Sequence, residues 1–378
     1  MVVDDSSVVR GLITRVLETD GIQIVASAAN GTAALAMLKR SEPHKITADI
    51  IILDVQIPQT GGGENILPEV RKHAPDAKII MACTLNEPNV MASLDALDMG
   101  ANELIAKPSS RKNPEETRIF IDEIVRKVKR LGGLPADEIA LPIEVLDTIA
   151  TASASESEKT PTAGITLPGV EAEAFTLRKP PGFFRPQILA VASSTGGPKA
   201  LQVFFEGLGK RVSHLPIFIT QHMPKDFTHS LAQQIGRYSG LSSAEGADGE
   251  TVMPGKIYLA PGDYHMVVEK KGDGGVIRLN QDAPENFCRP AADPMLRSLY
   301  NVYGKDILVV VLTGMGQDGM LGAKLIADNG GMVIAQDKDT SVVWGMPGAV
   351  AKEGVCTYVL PLPQLADAVV KVCSGYAL

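Results

Sequence analysis

Short apolar runs alternate with helical stretches along both halves of this 378-residue chain, and this alternation limits its possible folds more than any other feature. In the first half, the runs typical of buried strands are "IQIVASA" from Ile22, "DIIILD" from Asp49, "KIIMAC" from Lys78 and "ELIAKP" from Glu103. Apolar residues recur at helical spacing between and around these runs, for example from Val9 to Leu17. Repeated βα units predict a parallel sheet with helices on both faces.

The same alternation resumes at Gln187. The predicted strands lie in "QILAVASS", "LPIFITQHMP", "GKIYLAPGDYHM", "GGVIRLNQ", "DILVVVLTGMGQDG" and "GGMVIAQD". The apolar face of a helix that follows Pro198 consists of Leu201, Phe204, Phe205 and Leu208. A second, doubly wound α/β domain is therefore predicted over residues 187–378.

The segment between the two halves differs in composition from both. It contains the low-complexity stretch "ATASASESEKTPTAG" from Ala150, with further prolines at Pro168 and Pro180. Such a composition is typical of a linker. We therefore predict a first domain over residues 1–131 and a linker over 132–186, in which "IEVLDTIA" from Ile143 forms a short helix.

Charge and cysteine content exclude several classes of protein. The net charge of -8 disfavours general binding to nucleic acid or to anionic membranes. The four cysteines form no Cys-x-x-Cys pair, which suits a reducing compartment. The sequence has no apolar run of about 20 residues and no secretory signal pattern. We expect a cytoplasmic protein that neither inserts into membranes nor binds nucleic acid.

Four charged residues follow predicted strands of the first half. Asp4 and Asp5 end the first strand, Asp54 ends the third, and Lys107 ends the fifth. Because the carboxyl ends of parallel strands share one crevice, these side chains are expected to converge there. Clustered carboxylates suit Mg²⁺, with Asp54 as the nucleophile for a phosphoryl group and Lys107 as its cationic partner. Taken singly, each Asp is also a common helix cap or turn residue.

The motifs "VVDDSSVVR", "ILDVQIP" and "AKP" resemble the receiver domain of two-component response regulators. The resemblance implies a flavodoxin-like fold with a five-stranded parallel sheet and phosphorylation of Asp54 by a histidine kinase. It also implies that Asp4, Asp5 and Asp54 hold Mg²⁺, while Lys107 and Thr84 contact the phosphate.

The chain departs from the receiver pattern at three places. In "MACTL", Cys83 is interpreted as the residue at the family's Ser or Thr position, with Thr84 beside it. The range Gly61–Gly63 replaces a usual Asp-Gly pair. The first strand is nearly absent, so we expect a few residues to precede Met1.

In the second half, Ser194 follows an apolar strand and precedes Thr195 and two glycines in "VASSTGGP". Such a corner exposes a nucleophile to the amides at a helix N-terminus. The same residues also fit a phosphate-binding loop or a capped helix start. The short stretch alone leaves all three interpretations open.

A serine nucleophile needs a base and an orienting acid. His222 follows the strand in "LPIFI", and His265 in "GDYHM" is the rival base. Asp318 follows the most apolar strand in a glycine-rich loop, where the amide of Met315 is placed to receive an oxyanion. Taken singly, each histidine is more commonly a structural residue, and Asp318 is a common turn residue.

The motifs "SSTGGP", "QHMP", "GKIYLAPGDYHM", "RPAADPML", "TGMGQDG" and "WGMPGAV" together resemble the catalytic domain of the CheB family of chemotaxis protein-glutamate methylesterases. The resemblance implies a triad of Ser194, His222 and Asp318. It also implies that Thr195 and Met315 line the oxyanion site, and that the hydrolase needs no cofactor. Cys288 and Trp344 depart from the family pattern. Neither changes the assignment of the triad, but both are expected to alter the substrate groove.

The sequence therefore predicts a phosphorylation-regulated hydrolase that demethylates glutamate methyl esters, and deamidates glutamines, on methylated chemoreceptors. A histidine kinase of the chemotaxis pathway is the expected phosphodonor. The resemblance further implies that the unphosphorylated receiver covers the active site. The alternatives are a non-catalytic response regulator with a protein-binding output domain and a serine esterase of another substrate.

Overall fold

A computed structural model of the chain describes residues 1–40, 46–57, 66–108, 114–134, 175–182, 184–272 and 274–375. The predicted short helix from Ile143, most of the predicted linker and the range Gly61–Gly63 lie outside these residues. The described residues form two open α/β units.

The first unit contains a five-stranded parallel sheet with the strand order β2-β1-β3-β4-β5. Its strands are β1 (Val2–Val3), β2 (Ser27–Ala28), β3 (Ile50–Asp54), β4 (Lys78–Thr84) and β5 (Glu103–Lys107). This order confirms the flavodoxin-like prediction. The predicted strand from Ile22 is shorter than expected, because only Ser27–Ala28 pair with β1.

Helices cover both faces of this sheet. They are α1 (Ser7–Thr19), α2 (Gly31–Leu38), α3 (Leu67–His73), α4 (Glu87–Asp98) and α5 (Pro114–Leu131). The Ser6 hydroxyl caps α1 by accepting a hydrogen bond from the amide of Val9. One apolar cluster joins α1 and α5 to the sheet, and a second joins α2, α3 and α4 to the opposite face.

The second unit contains a seven-stranded parallel sheet with the order β14-β13-β12-β6-β7-β9-β8. Its strands are β6 (Ile188–Ser193), β7 (Ile217–Gln221), β8 (Ser242–Glu245), β9 (Lys256–Leu259), β12 (Ile307–Val311), β13 (Met332–Gln336) and β14 (Tyr358–Leu360). The central strands are buried at every position. Both edge strands, β8 and β14, were absent from the sequence prediction.

Two further strands lie outside this sheet. The predicted strands around His265 and in "GGVIRLNQ" pair with each other as an antiparallel hairpin of β10 (His265–Lys271) and β11 (Gly274–Asn280). A uniform strand-loop-helix alternation is therefore wrong for this stretch.

Helices pack on both faces of the second sheet. They are α6 (Gly197–Leu208), α7 (Lys225–Ser239), α8 (Ala292–Tyr303), α9 (Met320–Asp328), α10 (Met346–Lys352) and α11 (Leu362–Cys373), and a 3₁₀ turn at Gly209–Val212 follows α6. None of the helices in the described ranges combines the length and apolar character needed to cross a membrane.

The described end of the predicted linker packs on the second unit. The ring of Phe175 lies 6.0 Å from that of Trp344. The guanidinium of Arg178 donates to the carbonyl of Gly354 at 2.9 Å and pairs with Asp328 at 2.6 Å. This end of the segment is therefore bound to the second unit before β6 begins.

Helix α4 joins the two units by contacting α6 and α7. The hydroxyl of Tyr238 donates to the carboxylate of Asp98 at 2.7 Å, and the Lys199 ammonium donates to the carbonyl of Asp98 at 3.3 Å. Helices α6 and α7 are the ones that begin just after Ser194 and His222.

Candidate active site

Three central strands of the second sheet end side by side. The register pairs Ser193 with Gln221 across β6 and β7, and the amide of His222 donates to the carbonyl of Ser193 at 3.1 Å. On the other side of β6, the amide of Ser194 donates to the carbonyl of Thr313 at 3.1 Å. Ser194, His222 and the loop that carries Asp318 therefore share one edge, as the sequence predicts.

The corner after β6 distinguishes its two serines. The side chain of Ser193 is fully buried, and its hydroxyl donates to Oε1 of Gln221 at 2.7 Å. Ser194 is only half-buried. A β-carbon at Gly197 would lie 2.0 Å from the same Gln221 oxygen, so glycine at this position leaves room for the Gln221 side chain. The geometry leaves Ser194 as the serine that faces the site.

The Nε2 atom of His222 lies 2.7 Å from Oδ2 of Asp318. The carboxylate of Asp318 also accepts hydrogen bonds from the backbone amides of Ala292 at 2.5 Å and Asp293 at 3.1 Å, at the N-terminus of α8. Burial raises the pKa of Asp318, but the hydrogen bond from His222 and these amides outweigh it and hold the pKa below its usual value.

The other imidazole nitrogen, Nδ1 of His222, lies 3.5 Å from the sulfur of Cys288. Burial lowers the pKa of His222, but the negative charges of Cys288 and Asp318 and their hydrogen bonds outweigh it and raise the pKa to about 10. Among the described residues, the hydroxyl of Ser194 makes no hydrogen bond. The structure thus joins the histidine to the acid and sets the serine beside them.

The departure from the family pattern at Cys288 lies within the site, because its sulfur contacts the predicted base. Trp344 lies on the surface near the Met315 loop. Its ring packs against Gly348, and it lines a surface depression of about 390 Å³ beside Gly316 and Gln317.

The predicted oxyanion residues lie on two neighbouring loops. The hydroxyl of Thr313 donates to the carbonyl of Thr195 at 3.0 Å and ties these loops together. Within the part of the chain described, the amides of Thr195 and Met315 donate to no acceptor. A β-carbon at Gly314 would lie 3.0 Å from that of Ser194, so the Met315 loop approaches the serine closely.

His265, the rival base, has a structural role. Its side chain is buried, Nε2 lies 3.1 Å from the carbonyl of Ala283, and Nδ1 accepts from the amide of Ala291 at 3.2 Å. Backbone groups occupy both ring nitrogens, so this histidine holds the loop before α8.

Sequence reasoning missed two polar residues that hold the site. Gln221 bonds Ser193, and its amide group also donates to the carbonyl of Ser194 at 3.0 Å. Asn286 donates to the second carboxylate oxygen of Asp318 at 3.2 Å. The position of Gln221 directly before His222 in "QHMP" was an available signal, but Asn286 is 32 residues from Asp318, and nothing local marks it.

The acidic constellation forms in the first unit as the sequence predicts. Asp4 and Asp54 are buried and Asp5 is exposed, with carboxylate oxygens of all three within 4.8 Å of one another. The ammonium of Lys107 lies 2.8 Å from both Asp4 and Asp54. Burial raises the pKa of Asp54, and Lys107 only partly offsets this effect. A set of oxygen ligands suits a hard divalent cation.

Cys83 and Thr84 lie side by side at the end of β4. Thr84 pairs in register with Lys107 at the ends of β4 and β5, and Cys83 pairs with Ala106. Cys83 is fully buried in the apolar cluster beneath this edge. The hydroxyl of Thr84 accepts a hydrogen bond from Asn89 in α4 at 2.7 Å. The strand therefore offers a hydroxyl at the acidic edge after all.

Comparison with known proteins gives two family matches. Residues 189–369 match the CheB methylesterase family, and residues 1–116 match the response regulator receiver domain. A protein-glutamate methylesterase/protein-glutamine glutaminase of Rhodospirillum rubrum is 46% identical over 98% of this chain and 94% of its own length. One from Paramagnetospirillum magneticum is also 46% identical, over 99% of this chain and 96% of its own length. The crystal structure of the Thermotoga maritima CheB methylesterase catalytic domain is 39% identical over 50% of this chain and 98% of that one, with a TM-score of 0.48.

Proposed function

The chain belongs to the CheB family of protein-glutamate methylesterases, and we propose on this premise that it removes methyl esters from glutamate side chains of chemoreceptors. Deamidation of receptor glutamines at the same site is part of the proposal, since it differs only in releasing ammonia instead of methanol. The observation that carries the assignment of the site is the Asp318–His222 pair at the sheet edge next to Ser194.

In the proposed acylation step, Ser194 Oγ attacks the ester carbonyl and gives its proton to His222. Since Nε2 of His222 is bound to Asp318, the base atom is Nδ1. The carboxylate of Asp318 stabilises the resulting imidazolium and keeps the ring oriented. His222 then donates its proton to the methoxide as methanol leaves.

The carbonyl oxygen of the ester acquires negative charge during this step, and hydrogen-bond donors are needed to stabilise it. The amides of Thr195 and Met315 supply them in our proposal, because both lie on loops next to Ser194 and donate to no other acceptor in the described residues. In deacylation, His222 takes a proton from water, the hydroxide attacks the acyl carbon, and Ser194 leaves with the proton that the imidazole returns.

The first unit is the proposed regulator. Asp54 accepts a phosphoryl group from a histidine kinase, while Lys107 and Thr84 contact the phosphate. Asp4, Asp5 and Asp54 would hold Mg²⁺, which supplies charge compensation for the incoming phosphoryl group when bound. Phosphorylation then loosens the contact of α4 with α6 and α7, the helices that follow Ser194 and His222.

In this proposal the enzyme acts on the cytoplasmic domains of methylated chemoreceptors. Its proposed location is therefore the cytoplasm. The proposal is tested with methyl-labelled receptor membranes, with and without a small-molecule phosphodonor. We expect wild type to release methanol faster with the phosphodonor, and the Asp54→Asn variant to lose that response but keep basal release.

The outcomes separate the alternatives. No methanol release by folded wild type would contradict the methylesterase proposal and leave a non-catalytic regulator or an esterase of another substrate. Equal hydrolysis of unrelated methyl esters and of methylated receptor would instead favour an esterase of another substrate. Release that is the same with and without phosphodonor would contradict the regulatory part alone.

A further inference from the structure

The acid, the imidazole and a thiol lie in series in the active site. Oδ2 of Asp318 is 2.7 Å from Nε2 of His222, and Sγ of Cys288 is 3.5 Å from Nδ1 of the same ring. An imidazole between a carboxylate and a thiol accepts the thiol proton and yields a nucleophilic thiolate. The sulfur therefore contacts the same nitrogen that Ser194 needs as its base.

A tight turn holds Cys288 in this position. Glu285 and Cys288 exchange two backbone hydrogen bonds of 3.1 and 2.9 Å across Asn286 and Phe287. Both central residues have positive φ, 51° and 63°, as a type I′ turn requires. Phenylalanine is unfavourable in that region, so the surroundings must impose the turn. The side chain of Asn286 does so by donating to Asp318 at 3.2 Å.

Cys288 also differs from the other three cysteines of the chain in its access to solvent. Cys83, Cys356 and Cys373 are buried, and burial raises the pKa of Cys356 and of Cys373 to about 12. Cys288 is half-exposed, and its neighbour Phe287 is 82% exposed. Of the four thiols, Cys288 alone combines access with a base.

We propose that Cys288 is a second nucleophile of this site, which competes with Ser194 for Nδ1 of His222 and whose modification by an electrophile or a peroxide stops hydrolysis. Its reactivity is independent of the proposed methylesterase activity, and only the loss of hydrolysis rests on that activity. A group added to the sulfur would occupy the space beside Nδ1 that the proton of Ser194 must cross.

The chemistry begins with transfer of the thiol proton to Nδ1. With iodoacetamide, the thiolate attacks the methylene carbon, an S–C bond forms, and iodide leaves. With hydrogen peroxide, the thiolate attacks one oxygen, an S–O bond forms and the O–O bond breaks. The departing hydroxide takes the imidazolium proton and leaves as water. Sulfur is thereby oxidised to a sulfenic acid while the peroxide is reduced.

The test measures iodoacetamide labelling of the full chain near neutral pH by peptide mass spectrometry. We expect Cys288 in wild type to react roughly tenfold or more faster than free glutathione. The Ser194→Ala variant, which keeps the thiol and the imidazole, should label at the wild-type rate. The His222→Gln variant, with its fold verified by circular dichroism, should lose the acceleration. A Cys288 rate equal to that of glutathione, or unchanged in His222→Gln, would overturn the proposal.

A second arm measures methanol release after brief hydrogen peroxide treatment. Wild type and the matched variant Cys373→Ala should lose most of their activity and recover it with excess dithiothreitol, whereas Cys288→Ala should keep its own untreated rate. Equal loss in Cys288→Ala would overturn the inhibitory part. Labelling needs no receptor, so failure of the methylesterase assignment would not be mistaken for failure of this proposal.

Discussion

Nε2 of His222 points to the carboxylate of Asp318 at 2.7 Å, and this relationship fixes which imidazole nitrogen can act as a base. An N–H at Nε2 must donate to the carboxylate, so the lone pair of the neutral ring is on Nδ1. Four backbone and side-chain donors besides His222 hold the Asp318 carboxylate, from Ala292, Asp293, Gly319 and Asn286. The acid is therefore rigid, and the ring is oriented by it.

Replacement of this acid should be costly. In the Asp318→Asn variant the amide can donate to Nε2 and thereby favour the wrong tautomer, so we expect kcat for methanol release to fall by roughly 10³ to 10⁴. The matched control Asp328→Asn, which breaks only a surface pair with Arg178, should remain near wild type. A folded Asp318→Asn variant within about tenfold of wild type would contradict the role of Asp318.

The thiol beside His222 should shift the pH dependence. Because the negative charge of Cys288 helps to raise the pKa of His222 to about 10, its removal should lower that pKa. A base with a lower pKa is neutral at lower pH, so the acid limb of kcat/KM should move toward lower pH in Cys288→Ala. Methanol release measured across the neutral and alkaline range checks this shift. Superimposable profiles would show that the sulfur bears no charge next to the imidazole.

The buried ammonium group of Lys107 should contribute most to the stability of the first unit at high pH. Removal of Lys107 leaves Asp4 and Asp54 without their cation, and burial then raises the pKa of Asp54 further above its unfolded value. When the pKa of a carboxyl group is higher in the folded than in the unfolded state, its contribution to stability is fully present below the unfolded-state pKa. That contribution is lost as the pH rises through the folded-state pKa.

We therefore expect Lys107→Met to lower the unfolding temperature more at neutral than at mildly acidic pH. The surface variant Lys39→Met should show no such pH dependence. Thermal unfolding followed by circular dichroism provides the measurement. An equal loss for Lys107→Met at both pH values would argue that the lysine contributes packing alone.

The contact between the units makes a prediction about basal activity. The Tyr238 hydroxyl donates to the Asp98 carboxylate at 2.7 Å, and hydrogen bonds to charged groups are worth about 1.5–3 kcal/mol. The Tyr238→Phe variant should weaken the contact and raise unphosphorylated methanol release several-fold, with phosphodonor-stimulated release unchanged. Tyr264→Phe, at an exposed position, serves as the control. A basal rate equal to wild type in Tyr238→Phe would mean that this bond does not restrain the enzyme.

Much of this architecture was predictable because strand ends carry most of the chemistry. The apolar runs in the sequence predicted the positions of β6, β7 and β12. Ser194, His222 and the loop that carries Asp318 directly follow these strands. The pairing of the hairpin from His265 was not predictable, because antiparallel and parallel strands of similar composition differ only in their partners. The edge strands β8 and β14 were missed because half-buried short segments lack a strong apolar signal.

Two features of the sites depend on structure that no local pattern encodes. Cys83 and Thr84 are adjacent in sequence, and the pairing of Thr84 with Lys107 across β4 and β5 is set by the strand register. The contact of Cys288 with His222 spans 66 residues and depends on a turn whose left-handed Phe287 no local propensity predicts. Long-range register and strained turns are the information that the sequence pattern lacked.

Methanol release by Ser194→Ala and Ser193→Ala decides whether Ser194 is the nucleophile served by His222 and Asp318. Both variants remove one hydroxyl from neighbouring positions, and Ser193 is the buried one, bonded to Gln221. We expect the rate of methanol release by Ser194→Ala to be lower than that of wild type by roughly 10³-fold or more, whereas Ser193→Ala keeps a rate within about tenfold of wild type. Retained activity in Ser194→Ala, with loss confined to a folded Ser193→Ala, would contradict this assignment of the nucleophile.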